Sequence, residues 1–439
     1  MRRTFLLCAT LTALPSYVHA EQPVAPSETL IRLNVQPMPE PKPALRYLLL
    51  PELKEMQPGN PIASYLRCML DQDFSSPVET LRPSALRQAD RAARLDKPDW
   101  QILLKTKSDG IGLLLPDLQK MRMLATGLQE RFRTEVAQCH FDDAVRTAKT
   151  MFALSRHMGE HPTLIGDLVG IAIATIAIGP LEEMLAQPGC PNLYWALTNL
   201  PNPLISMEKG MEGERILIQG ELHELDGNGP LSTEQIQKLT KHIDMLRQFD
   251  GKPFKGTRAW LNERNKDEKL IQAARRRLVE VGFSEDKLAH FPADQVLLLD
   301  EERSFEVGRD EVMRLTNLPT WQAEEMAHHI KPPKEDGLFT FLVPALIKVR
   351  RAQGRLEQRI ALLRHVEALR LHAAEHVGKL PEKLSDCRLP LPCDPFTGKP
   401  FRYRKDGDTA HLQGSPPRGE EKNAPFNLHY EVTIQKAEK

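Results

Sequence analysis

The sequence is poor in cysteine and lacks the motifs that would assign it a chemistry. Its 439 residues include 6 cysteines and no Cys-x-x-Cys, which argues against a disulfide-dense scaffold, a zinc ribbon and a thioredoxin-type redox site. Walker, Gly-x-Gly-x-x-Gly, Gly-x-Ser-x-Gly and EF-hand patterns are missing as well. The sequence therefore predicts no catalytic residue and no bound organic cofactor.

An excess of either charge sign is also missing. Lys and Arg together number 59, and so do Asp and Glu. This balance lacks the basic surplus that neutralises phosphates, so the composition argues against nucleic acid as a partner. At 439 residues the chain is long enough for two or three domains.

The first 20 residues have the order of a secretory signal peptide. Arg2 and Arg3 precede the apolar stretch Phe5–Leu14, and Ala20 ends the segment on a small residue before Glu21. Two arginines fit the Sec route and also the twin-arginine route, with Sec favoured. Cleavage after Ala20 leaves 57 Lys and Arg against 59 Asp and Glu, and it predicts a protein of the periplasm or the extracellular space.

Five cysteines remain after the predicted cleavage. Cys387 and Cys393 lie close together across a Pro-rich loop and form the best candidate for a disulfide. Reduced thiols that pack as small apolar side chains are the equally good alternative.

Composition divides the predicted mature chain into four parts. Residues 21–43 contain six prolines and predict an extended tether. Helical spacing of leucines begins near Ala44, so residues 44–203 are predicted to be a helical-hairpin domain and residues 204–337 a second helical region. Residues 338–439 are predicted to hold a long helix and a small β-hairpin tail.

The hairpin domain carries the clearest pattern. Apolar residues recur every three or four positions from Leu118 to Phe132 and again from Phe141 to Leu154, which predicts two antiparallel helices. The unit does not recur at a fixed period, so the prediction is a repeat-like hairpin and no array. The fold class is therefore mainly α: a helical-hairpin bundle with a small C-terminal α+β hairpin module.

Leu164–Gly179 is the most apolar stretch after the signal. Because Pro180 follows and Asp167 lies inside it, the expected helix of about 16 residues is too short to span a bilayer. A buried core helix is predicted, and no transmembrane segment is expected in the mature chain.

Further helices are predicted in the middle and C-terminal parts. Ser232 and Gln235 form a capping box for a helix to about Phe249, another helix covers 257–281, and a long one runs over 338–376. The dense arginine and glutamate of the long helix predict a solvated face. Residues 401–404 and 410–413 read as a hairpin, and 429–435 as a further strand.

Two resemblances follow from these motifs. Over 361–413 the chain resembles the soluble part of type II secretion pseudopilins, which implies a long helix followed by a β-hairpin, although here the helix is internal. The residues that carry this resemblance are Gly378, Leu380, Pro381, Leu384, Asp394, Pro395, Gly398, Pro400, Phe401 and Tyr403. The stretches 49–60, 162–170 and 192–197 resemble a family of large exported bacterial helical proteins, which implies export and helicity and no chemistry.

Two His-x-x-Glu-His strings are the only candidates for metal ligands. In His157–His161 the string contains Gly159, so His157 is expected to cap a helix C-terminus as a cation. In the second string, His372 and His376 lie one helical turn apart and can bind one metal ion, with zinc as the candidate and Glu375 as the base. His365 lies on the same helical face but about 10 Å away along the axis.

The sequence therefore leaves three functional hypotheses. The first is an exported, non-enzymatic helical interaction or scaffold protein that binds a protein or peptide, because stacked helices present surfaces for such partners. The second is a metal-dependent hydrolase that uses the face of His372, Glu375 and His376. The third is an accessory component of a secretion or envelope assembly. The oligomeric state is left open.

Overall fold

The chain is described by a computed structural model over residues 28–70, 81–102, 105, 115–225, 229–247, 253–330, 337–339 and 342–435. The predicted signal peptide lies outside these ranges. The described chain is mainly helical with one small sheet, which confirms the predicted fold class.

Fourteen α-helices and four strands lie within the described ranges. The helices are α1 Pro61–Arg67, α2 Pro83–Ala92, α3 Pro116–Ala137, α4 Phe141–Met158, α5 Leu164–Leu185, α6 Tyr194–Thr198, α7 Glu208–Leu222, α8 Thr233–Arg247, α9 Thr257–Arg264, α10 Glu268–Glu280, α11 Glu285–His290, α12 Ala293–Met313, α13 Thr320–Ala327 and α14 Leu342–Glu375. The strands are β1 Thr29–Val35, β2 Arg402–Asp406, β3 Thr409–Gln413 and β4 Leu428–Ile434.

The predicted hairpin is helices α3 and α4, which pack against each other and jointly against α5. The apolar positions that predicted α3, from Leu118 to Phe132, are buried in this contact. The capping box of α8 is also present, because the Ser232 amide donates to Gln235 Oε1 at 2.9 Å and the Gln235 amide to Ser232 Oγ at 3.2 Å.

Three local predictions are wrong. The leucine spacing of residues 45–53 does not form a helix, and Leu45 and Leu53 are exposed. The helix expected over 257–281 is divided, because Asp267 caps a new helix, α10, by accepting from the Lys269 amide at 2.9 Å. Residues 29–35, expected in the tether, form strand β1.

Helix α5 differs from the prediction in length. It continues through Pro180 to Leu185, and by length and composition it is apolar and long enough to cross a membrane. Pro180 has no N–H for the Ile176 carbonyl, four residues earlier, and Gln129 on α3 fills the gap by donating its side-chain amide to that oxygen at 3.1 Å. Most residues of α5 are buried against α3, α4 and α14, as expected of a core helix.

We predict that Gln129 and Pro180 are energetically coupled. Gln129→Ala should destabilise the protein by about 1–2 kcal/mol, because the Ile176 carbonyl is left without a donor. Once Pro180→Ala restores a backbone donor, the same Gln129→Ala change should cost clearly less. Urea unfolding of the four proteins of this double-mutant cycle measures the difference. Equal costs of Gln129→Ala in both backgrounds would contradict the assignment.

The described residues form two large apolar cores, and helix α14 contributes residues to both. The first contains the α3–α5 helices, the C-terminal half of α14 and the inner face of the sheet. The second contains Leu164 of α5 and residues between Met207 and Val349, and a small third cluster joins Tyr194, Ala368, Leu371 and Leu389. Helix α14 runs from the second core into the first, so the C-terminal module shares its core with the helical hairpin.

The sheet joins the two ends of the described chain. Its strand order is β1-β4-β3-β2, with β1 parallel to β4 and the other neighbours antiparallel. Strands β2 and β3 form the expected hairpin around Gly407, whose φ of 59° suits glycine in a tight turn. Strand β4 is the expected final strand, whereas its pairing with β1 was not foreseen.

A fully buried ion pair on α14, Glu367 with Arg370, connects the segments that follow β1 and α5. Arg370 of α14 donates to Glu367 at 2.8 Å, to the Cys190 carbonyl at 2.7 Å and to the Gln36 carbonyl at 3.1 Å. The second oxygen of Glu367 accepts from the Leu193 amide at 2.8 Å. The pair therefore satisfies backbone groups after β1 and after α5 that would otherwise be buried without partners.

We predict that breaking this pair is costly. Arg370→Ala should lower the free energy of unfolding by about 3–5 kcal/mol, because Glu367 is left as an uncompensated buried charge. Arg146→Ala is the matched control: its partner Asp143 is also three residues away, but both side chains are exposed, so the change should cost less than about 1 kcal/mol. Chemical denaturation compares the two. Similar losses in both variants would show that the buried pair has no special role.

Candidate functional site

The predicted metal ligands lie at the C-terminal end of α14. His372 is buried and His376 is exposed. Their rings stack in parallel, with centroids 3.9 Å apart and an interplanar angle of 12°, and Nδ1 of His376 lies 2.8 Å from the His372 carbonyl oxygen. The structure thus brings the two side chains together, but face to face.

Glu375, the third residue of the predicted metal site, already has a partner. Glu375 is ion-paired with Arg388 at 3.3 Å. Burial, followed by the nearby His376, lowers the pKa of His372, which keeps the imidazole neutral as a metal requires. Among the described residues, no group of three or more His, Cys, Asp or Glu side chains is arranged to hold a metal ion.

The neighbouring cysteines are free thiols. Cys393 is exposed, and Cys387 is partly buried, so that burial raises the pKa of its thiol to about 11. The disulfide considered for this pair is not formed in the structure.

The first His-x-x-Glu-His string is internal. Nδ1 of His157 lies 3.1 Å from the Tyr65 hydroxyl, and the His157 carbonyl accepts from the Trp100 indole at 3.1 Å. Burial lowers the pKa of His157 to about 3. The expectation of a charged helix cap is therefore wrong, because a ring in this position stays neutral and packs under α1 and Trp100.

His161 is held in the same corner. Its Nδ1 lies 2.8 Å from the Thr163 hydroxyl, its ring meets Trp100 edge-on at 4.6 Å, and burial lowers its pKa to about 4. Gly166 leaves room for this ring, since a Cβ there would lie 2.4 Å from that of His161. The two histidines of the string have separate hydrogen-bond partners; His161 is a buried core residue and His157 is partly buried.

The strongest electrostatic anomaly is Asp167, in the first turn of α5. It is fully buried, and neither carboxyl oxygen has a hydrogen-bond partner within the described chain. Gly210 of α7 packs against it, because a Cβ there would lie 2.0 Å from Oδ2. Burial, and then the charges of Glu214 and Glu160, raise the pKa of Asp167 to about 9, so the carboxyl is neutral at pH 7.

Asp167 makes stability depend on pH in a definite direction. Its pKa is higher in the folded chain than in the unfolded one, so the folded state is favoured most below about pH 4 and loses stability as the pH rises towards 9. The buried histidines act in the opposite sense, because their lowered pKa values favour folding above about pH 6.5. The effect of Asp167 on stability is therefore distinguished from that of the histidines by substituting Asp167 alone.

We predict that Asp167→Asn removes this dependence. The difference in unfolding free energy, variant minus wild type, should grow in favour of the variant from pH 4 to pH 8 by roughly 2–4 kcal/mol. Urea unfolding at several pH values measures it. The exposed Asp142→Asn is the control for the same carboxyl-to-amide change at the surface. A flat difference for Asp167→Asn would contradict the neutral buried carboxyl.

An apolar groove lies on the surface of the first core. Its walls are the non-helical segment Leu48–Leu53 and three residues of or just beyond α6, namely Ala196, Asn199 and Leu200, around a volume of about 230 Å³. The one charged side chain in the wall, Glu52, is paired with Lys54 at 2.8 Å. Leu53 is 90% exposed at its rim.

No protein-family model, curated protein or solved structure matches this chain. The resemblance of residues 361–413 to pseudopilins therefore stays a prediction. What the structure adds is a physical role for Asp394 in that motif: its carboxylate accepts from the Phe396 amide at 3.0 Å, the Ser415 amide at 2.6 Å and the Gln358 side chain at 3.0 Å.

Proposed function

We propose that this protein is an exported helical interaction protein that binds an apolar segment of another protein or a peptide in the groove between Leu48–Leu53 and α6. The single observation that carries the proposal is this groove, whose wall contains five leucines and whose rim leaves Leu53 exposed. An exposed leucine side chain costs solvation free energy unless a partner covers it, and concave sites lined by apolar side chains are typical binding sites.

The chemistry of the wall indicates the class of partner. Five of its nine residues are Leu, one is Ala and one is Pro, and the only carboxylate is already paired. Such a wall offers contacts to aliphatic or aromatic side chains and little to a charged small molecule.

The buried ionisable groups support a binding role over a catalytic one. Glu367 is engaged by Arg370, Glu182 by Arg359, and Asp394 by backbone amides. Each of these groups fixes one segment of the fold to another, and Asp167 is packed against α7.

Two other hypotheses from the sequence gain no specific observation. A hydrolase at His372, Glu375 and His376 needs a free carboxylate, whereas Glu375 is paired and the rings stack on each other. A secretion-assembly component rests on the pseudopilin-like motif, which the bonds of Asp394 explain as a local folding device.

We predict position-specific cross-linking at the groove. A photo-reactive benzoylphenylalanine in place of Leu53 should give one discrete adduct with an envelope or secreted protein after irradiation of intact cells. The same group in place of Val307 is the matched control, because Val307 is also exposed but lies on α12 of the second core. Mass spectrometry of the adduct maps the partner's contact segment, which we expect to be apolar.

The outcome separates binding from export. Adducts at neither position, or equally at both, would contradict the groove as a binding site. Amino-terminal sequencing of the recovered chain should begin at Glu21. A chain that retains residues 1–20 in the cytosolic fraction would contradict export alone and leave the groove untouched.

A further inference from the structure

A second pair of histidines meets on the outer face of the sheet. His411 of β3 and His429 of β4 place Nδ1 and Nε2 3.1 Å apart, with ring centroids at 5.3 Å. Both side chains are only slightly exposed, at 12% and 11%. The antiparallel register sets His411 opposite Glu431 and brings His429 diagonally beside it.

The separation of the two nitrogen atoms matches that of two ligands on one ion. Zinc bound tetrahedrally to imidazoles at 2.0–2.1 Å holds neighbouring nitrogens about 3.3 Å apart. A hydrogen bond between the rings explains the same distance only when one ring donates and the other accepts. Metal binding needs instead that His411 carries its hydrogen on Nε2, a tautomer change that adds or removes no proton.

Two carboxylates, Glu28 and Glu431, lie near the pair. The remaining ring nitrogen of His429, Nδ1, is buried without a hydrogen-bond partner and lies 3.3 Å from Glu28 Oε2. A metal-bound imidazole is oriented when its outer N–H donates to a carboxylate; Glu28 lies beside this nitrogen without making that bond. Glu431 Oε1 lies 3.9 Å from His411 Nδ1, while its other oxygen accepts from Arg32 at 2.7 Å.

The nearby positive charges do not block the site. Arg32 is neutralised by Glu431, and Arg404, the neighbour of His411 on β2, lies 3.9 Å from Asp406. We propose that His411 Nδ1 and His429 Nε2 bind one divalent transition-metal ion of the zinc type, with water completing the coordination. Because the ligands lie on paired strands, their spacing is fixed by the sheet.

Zinc titration tests the proposal. Metal-free, tag-free protein is dialysed against Zn²⁺ at pH 7.5, and bound metal is measured by mass spectrometry; Co²⁺ is then used to read the coordination from its visible absorption. We expect one equivalent in the wild type and at least about tenfold weaker binding in His411→Gln and His429→Gln.

The His372–His376 pair provides the decisive control. His372→Ala should leave the one equivalent in place. Loss of zinc with His372→Ala, unchanged binding in both glutamine variants, or less than one equivalent in the wild type would each overturn the proposal. Circular dichroism without metal checks folding, and if His429→Gln alters the spectrum, His411→Gln alone decides the result.

Discussion

The buried pair of Glu367 and Arg370 is the contact on which the arrangement of the described chain depends. Arg370 reaches carbonyl groups at Gln36 and Cys190, and Glu367 accepts from the Leu193 amide. These groups belong to the segment just after β1 and to the loop after α5, both far from α14 in sequence. A guanidinium offers five donors in a fixed plane, so one side chain can satisfy several carbonyls from different segments at once.

The same device recurs along α14. Arg359 of α14 is held by Glu182 of α5 at 2.6 Å, and Tyr430 of β4 donates to that same carboxylate. Gln358 bonds to Asp394 at 3.0 Å and thereby fixes the loop before β2. Buried charges on the long helix are thus compensated in two ways: Arg359 by Glu182 of α5, and Glu367 and Arg370 by each other within α14.

This explains why the charges of α14 were misread from sequence. A helix dense in arginine and glutamate ordinarily has a solvated face, and the sequence alone does not show that helices α5 and α6 and the sheet enclose it. Local patterns did predict α3, α4, the capping box of α8 and the β2–β3 hairpin, because their determinants lie within a few residues. The pairing of β1 with β4 joins residues about four hundred positions apart, such as Leu33 and Val432, and no local signal encodes it.

The candidate sites divide in the same way, into those that local sequence predicts and those that only tertiary contacts form. His372 and His376 were found because helical spacing places them together, whereas His411 and His429 meet only through strand register. Asp167 was visible as a charge in an apolar stretch, but its burial against Gly210 required the packing of α7. Within the described chain many interior acids and bases hold segments together, and the two surfaces proposed to meet a ligand lie at the periphery: the leucine-walled groove and the histidines of the outer sheet face.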